Sequence, residues 1–148
     1  MSQPLRLLIV EGSTNDVELL LHSLRNQGYQ VASVVVDTPM SMRAAFEGQE
    51  FDLIICDQSM PSLSAPAALA IAKELRPDVP FIIVSGEIDL DLAVALIKLG
   101  AKDYVQKSQL IRLGPVIERE LRDTKLTHRH KLTEDRLHES QELFRAIV

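Results

Sequence analysis

Apolar and polar positions fall in blocks of two kinds along this chain. Nearly continuous apolar runs occur at Leu5–Val10, Phe51–Cys56 and Phe81–Val84, with a β-branched run at Gln30–Val36 and a shorter stretch at Ala101–Gln106. Short runs without polar alternation are what strands buried on both faces of a parallel sheet require. Between them the period changes. Thr14–Gln27 spaces Val17, Leu20, Leu21 and Leu24 three and four apart, the stripe of an amphipathic helix. Gly28 then stands where a helix end favours glycine. Thr38-Pro39 reads as an N-cap with proline at the first helical position, opening a helix to Glu47. Ala65–Leu75 is alanine-rich and helical. Asp89 caps a helix to Leu99, closed by Gly100. Strands alternating with helices predict an α/β fold: a doubly wound five-stranded parallel sheet with helices on both faces.

The pattern changes after Lys107. Ser108–Leu113 reads as one short turn, and Gly114-Pro115 restarts a helix. No glycine or proline follows, so an extended C-terminal helix of about 33 residues is expected. Its apolar rows, Leu121, Leu132, Leu143 and Leu126, Leu137, Val148, each step by 11 residues. That period, about 3.67 residues per turn, keeps each row on one side. We read the segment as a partner-facing linker helix, with a solvated tail as the alternative. The expected organisation is one domain over 1–125 and a helical linker over 126–148.

Strand ends carry the candidate chemistry. The first strand runs into Glu11, the third into Asp57, the fourth into Ser85 and the fifth into Lys107. In an open α/β sheet the ligand site lies outside the carboxyl ends of the strands. Two carboxylates, a hydroxyl and an ammonium are therefore expected at one edge, a set that can hold a divalent cation and a phosphoryl group. A strand-end carboxylate beside a second acid and a cation can attack a phosphoryl group, and Asp57 is the strongest candidate. Each residue has a plainer alternative: Asp57 a turn aspartate, Ser85 a cap on its loop, Lys107 a solvated lysine.

Composition narrows the function classes. Sixteen basic against 21 acidic residues leave a net charge of −5, which argues against nucleic-acid binding by bulk electrostatics. The one cysteine, Cys56, permits no internal disulfide and fits a cytoplasmic, reducing compartment. Its place in a buried strand marks it as packing rather than redox. No apolar run approaches the roughly 18–20 residues of a membrane span, and the start lacks a signal-peptide pattern. No glycine-rich phosphate loop, zinc-ligand spacing or nucleophilic triad is present.

Four stretches, Leu7-Leu-Ile-Val-Glu11, Cys56-Asp57-Gln-Ser-Met-Pro61, Ile83-Val-Ser-Gly86 and Lys102-Asp-Tyr-Val-Gln-Lys107, resemble the response-regulator receiver (CheY-like) domain of two-component signalling. The resemblance covers roughly residues 5–125. Asp37-Thr-Pro and Ser64-Ala-Pro-Ala-Ala-Leu69 are similar to receivers followed by a PAS sensor domain, and Leu137–Val148 resembles the opening of such a domain. The resemblance implies a flavodoxin-like strand order 2-1-3-4-5. It implies a signalling phosphoacceptor rather than a classical enzyme, one that catalyses at most its own phosphorylation and dephosphorylation. Asp57 would accept phosphoryl from a histidine kinase, and Glu11, Asp57 and the Ser59 carbonyl would bind Mg2+. Ser85 and Lys107 would contact the phosphoryl group, and Tyr104 would switch rotamer with Ser85. For Tyr104 a core aromatic with a wet hydroxyl is the alternative. The implied partners are the kinase, a downstream domain in a longer chain and a second copy paired through the C-terminal helix.

The departure is Gly12, where receivers usually place a second acid that contacts the metal. Magnesium wants near-octahedral oxygen ligands, commonly with one or two carboxylates. Losing one of the usual three predicts weakened metal affinity and slower phosphorylation. A pseudo-receiver that docks or dimerises without phosphotransfer is therefore the alternative reading. Water or Asp16 could fill the missing position, but Asp16 sits a helical turn further on and is assigned first to the helix N-terminus.

Overall fold

The computed structural model describes residues 3–87 and 89–124. Five strands, β1 (Gln3–Val10), β2 (Tyr29–Val36), β3 (Leu53–Asp57), β4 (Phe81–Ser85) and β5 (Asp103–Gln106), alternate with helices α1 (Thr14–Asn26), α2 (Pro39–Gly48), α3 (Ala65–Leu75) and α4 (Leu90–Leu99). A 3-10 stretch, Lys107–Arg112, follows, broken at Gln109, and residues 113–124 are helical (α5). All strand pairings are parallel, in the order β2-β1-β3-β4-β5. The linker expected over 126–148, the leucine rows beyond Leu121 and the stretch likened to a PAS opening lie outside the described residues, whereas Leu121 packs partly buried against the domain core.

The apolar runs explain the sheet. Successive strand side chains point to opposite faces, so a run without alternation feeds two cores. Leu8, Val10, Ile54, Cys56 and Ile83 join Met42 and Phe46 of α2, Leu69 of α3 and Leu96 of α4. Leu7, Ile9, Leu53, Ile55 and Val84 join Val17, Leu20 and Leu24 of α1 and Val116 and Ile117 of α5. Two helices thus cover one face and three the other.

Local signals end the elements where expected. Thr38 and Ser41 form a reciprocal capping box with Pro39 inside it. Asp89 accepts from the Leu92 amide to open α4. Gly28 and Gly100 take φ of 98° and 122°, the left-handed region glycine tolerates best. The Gln27 side chain accepts from the Gly114 amide at 2.7 Å and donates to the Leu110 carbonyl at 3.0 Å. It thereby ties the end of α1 to the start of α5.

Candidate functional site

Strand register sets the site. Val10 pairs with Val36 and Cys56, Cys56 with Ile83, and Ser85 with Gln106. The next residues along, Glu11, Asp37, Asp57 and Lys107, therefore emerge at one edge. An open cleft of about 490 Å³ lies there, lined by these four together with Gly12, Asp16, Ser59 and Glu87, among others. Five acidic residues and one lysine line it.

The lysine ammonium organises the cleft. Lys107 Nζ lies 2.6 Å from Asp16 Oδ2, 3.1 Å from Glu11 Oε2 and 3.3 Å from Asp57 Oδ1. The ammonium donates a hydrogen bond to Asp16 and is ion-paired with Glu11 and Asp57. Burial alone would lower the Lys107 pKa. Hydrogen bonds to Asp16 and Glu11, with the charges of Asp57 and Glu11, outweigh it and hold the ammonium raised. Burial pushes the Glu11 carboxyl up despite its bond to Lys107. Glu11 Oε1 accepts from the Gly12 and Ser13 amides at 3.0 and 3.1 Å, which fixes its orientation. Glu11 and Asp57 are 9% and 7% exposed, deep enough for these charges to act through little solvent.

The expected site residues divide into two groups. Glu11, Asp57 and Lys107 come together, and Ser59 lines the same cleft. Ser85 turns aside: its hydroxyl donates to the Glu87 carbonyl at 2.7 Å and accepts from the Glu87 amide at 3.2 Å. In this conformation Ser85 is the loop cap offered above as its alternative. The Tyr104 hydroxyl also reaches the Glu87 carbonyl, at 2.7 Å, and Gln58 Oε1 at 2.6 Å. The Glu87 carbonyl thus joins Ser85 to Tyr104, and the phenol is not left to water. Lys107 is not the solvated lysine of the plainer reading.

Asp16 departs from the sequence assignment. Its amide does donate to Ser13 Oγ at the start of α1. Its carboxylate, however, makes the shortest contact to Lys107. A residue 91 positions away leaves no local trace in the sequence. Asp37, the acid that follows β2, lines the same cleft. Gln58 and Glu87 carried no signal of their own.

With this geometry in hand, known proteins place the chain. Residues 7–113 match the response regulator receiver domain family. The chain belongs to that family. It is 30% identical over 122 residues to the transcriptional regulatory protein ZraR of Salmonella typhimurium, an alignment covering 82% of this chain and 27% of that protein. It is 31% identical over 102 residues to the transcriptional regulatory protein PrrA of Mycobacterium tuberculosis, covering 69% of this chain and 43% of that protein. The chain therefore spans under half the length of these relatives. A CheY-like receiver domain protein from Methanospirillum hungatei superposes with a TM-score of 0.71 at 26% identity, covering 86% of this chain and 99% of that one. The receiver fold and the strand order 2-1-3-4-5 expected from the sequence are both present. Receivers are signalling modules rather than classical enzymes. No helix among the described residues is long and apolar enough to cross a membrane.

Proposed function

We propose that this receiver accepts a phosphoryl group on Asp57 from a histidine kinase and passes the change to a domain beyond it in a longer chain. One observation carries the reading. The buried Asp57 carboxylate ends β3 in an open acidic cleft, 3.3 Å from the Lys107 ammonium and beside Glu11. Asp57 oxygen attacks phosphorus in line, the phosphorus–nitrogen bond of the phosphohistidine breaks, and its electron pair returns to the imidazole. Lys107 then exchanges a carboxylate for a phosphoryl oxygen.

The donors fit magnesium by type: Glu11, Asp57 and the Ser59 carbonyl offer the oxygen ligands a hard cation takes, with water completing the shell. When bound, the ion neutralises charge that builds on the transferring group. Ser85 moves toward the phosphoryl group, gives up Glu87, and thereby leaves the Glu87 carbonyl to Tyr104 alone. The coupling would leave through α4, which exposes Leu90, Val94 and Ile97 four and three residues apart.

Residues 1–125 are read as the receiver and 126–148 as a helical linker that pairs two copies. The downstream domain is read as a PAS sensor in a cytoplasmic protein, and binding of nucleic acid is not expected of this chain. A second reading, docking without phosphotransfer, is favoured by Gly12 alone. Incubation with phosphoramidate, with and without Mg2+, separates the two by intact mass. A magnesium-dependent gain of one phosphoryl group, lost in Asp57→Asn, is expected. No gain in the wild-type chain, with a gain in Gly12→Asp, would establish the docking reading.

A further inference from the structure

The acid missing at position 12 has a counterpart on α1. Gly12 is open: a Cβ built there meets nothing within 4 Å, so no neighbouring side chain has grown into the space. Asp16 instead lines the same cleft from the first turn of α1. Its carboxylate holds Lys107 at 2.6 Å, closer than Glu11 at 3.1 Å or Asp57 at 3.3 Å.

Those distances bear on cation binding because Lys107 competes for the same oxygens. An ammonium paired with Glu11 and Asp57 opposes a divalent cation twice, by occupying their lone pairs and by its own charge. Among the described residues no three acidic side chains already stand arranged around a metal. The carboxylates converge on the ammonium instead. What draws Lys107 off Glu11 and Asp57 therefore frees them.

We propose that Asp16 is a positioning residue that makes good the loss at Gly12: it offers the Lys107 ammonium a partner on α1, so that a cation taking Glu11 and Asp57 can displace the ammonium onto Asp16. This rests on the phosphoacceptor reading above and names its regulation. Asp16 acts through Lys107, and the negative charge that position 12 lacks is restored to the cleft from the next helical turn. The same contact gives Lys107 a resting partner that the phosphoryl group displaces.

The test is calorimetric titration of Mg2+ into the full chain, with thermal melts confirming that each variant folds. Asp16→Asn is expected to weaken Mg2+ about tenfold, the size of one coupling within a charge network. Asp37→Asn, which removes an exposed charge from the same cleft, should weaken it less than about threefold. In a Lys107→Met background, Asp16→Asn should likewise cost less than about threefold, because the ammonium it positions is gone. Equal effects of Asp16→Asn and Asp37→Asn would overturn the proposal. So would an undiminished tenfold loss in the Lys107→Met background. The wild-type titration separates the two levels: no binding there sinks the cation site itself, whereas binding unaffected by Asp16→Asn sinks only the role of Asp16.

Discussion

At the scale of single residues, the cleft behaves as one charged unit around Lys107. Removing any partner changes the others, so effects within it should not add. Gly12→Asp introduces a carboxylate into open space and is expected to tighten Mg2+ about tenfold, a gain of roughly 1.4 kcal/mol. Unchanged affinity in a titration would mean that position 12 does not face the cation. Tyr104→Phe removes the hydroxyl that joins Gln58 to Glu87 and should leave phosphorylation of Asp57 intact while abolishing its transmission. The check is amide exchange of α4 with and without phosphodonor: protection that still responds to phosphorylation in the variant counts against the Tyr104 link. The strand-end residues Glu11, Asp57 and Lys107 were legible because a parallel sheet carries every strand terminus to one edge. Asp16 was not. Its backbone satisfies the helix-start rule, and the partner of its side chain is set by tertiary structure alone.

At the scale of elements, most boundaries follow from local chemistry, and the exceptions have a tertiary cause. α3 runs over Ala65–Leu75 as expected, with Ser64 accepting from the Ala67 amide. The third strand was expected from Phe51 and begins at Leu53. Arg6 explains the shift: its amide and guanidinium both bind the Asp52 carboxylate, pinning the entry to β3. β5 likewise begins at Asp103 rather than Ala101, after Gly100 and the Ala101 amide complete the α4 terminus. Thr38→Ala, which opens the α2 capping box, should cost about 1 kcal/mol in urea denaturation and leave phosphorylation unaffected. A loss near zero would show the box to be dispensable.

Asp52 gives a pH dependence. Burial pushes its carboxyl up, but the hydrogen bonds and charge of Arg6 prevail and hold it below the ordinary carboxylate range. A carboxyl depressed by folding adds stability that is present above its unfolded value and lost as pH falls through the folded one. Arg6 is about half exposed, so solvent screens the pair and the contribution is below about 1 kcal/mol. Asp52→Asn should therefore destabilise the protein at pH 7, with the difference from wild type shrinking as pH falls from 4 toward 3. A difference independent of pH would contradict the ionic origin.

At the scale of the whole molecule, a sheet buried on both faces fixes which edge can react. Ile54, with no exposed surface, packs in the core beneath α2 and α3. Ile54→Ala is expected to cost about 2–5 kcal/mol, read by the same denaturation. The alternation of apolar runs and amphipathic helices was enough to indicate this architecture, because in-and-out sidedness is set residue by residue. It left Ser85 open between a phosphoryl contact and a loop cap, a choice set by the conformation of the loop rather than by the apolar pattern. The same distinction separates what the cleft is from what it does. The proposed function requires Asp57 to be the phosphoacceptor. Its most direct test is to treat the full chain with phosphoramidate and Mg2+, reduce with borohydride, and map the peptides by mass. An acyl phosphate is then converted to homoserine at the modified position. Conversion of Asp57 alone, dependent on Mg2+, is the expected result; conversion at another carboxylate, or none at Asp57, would contradict it.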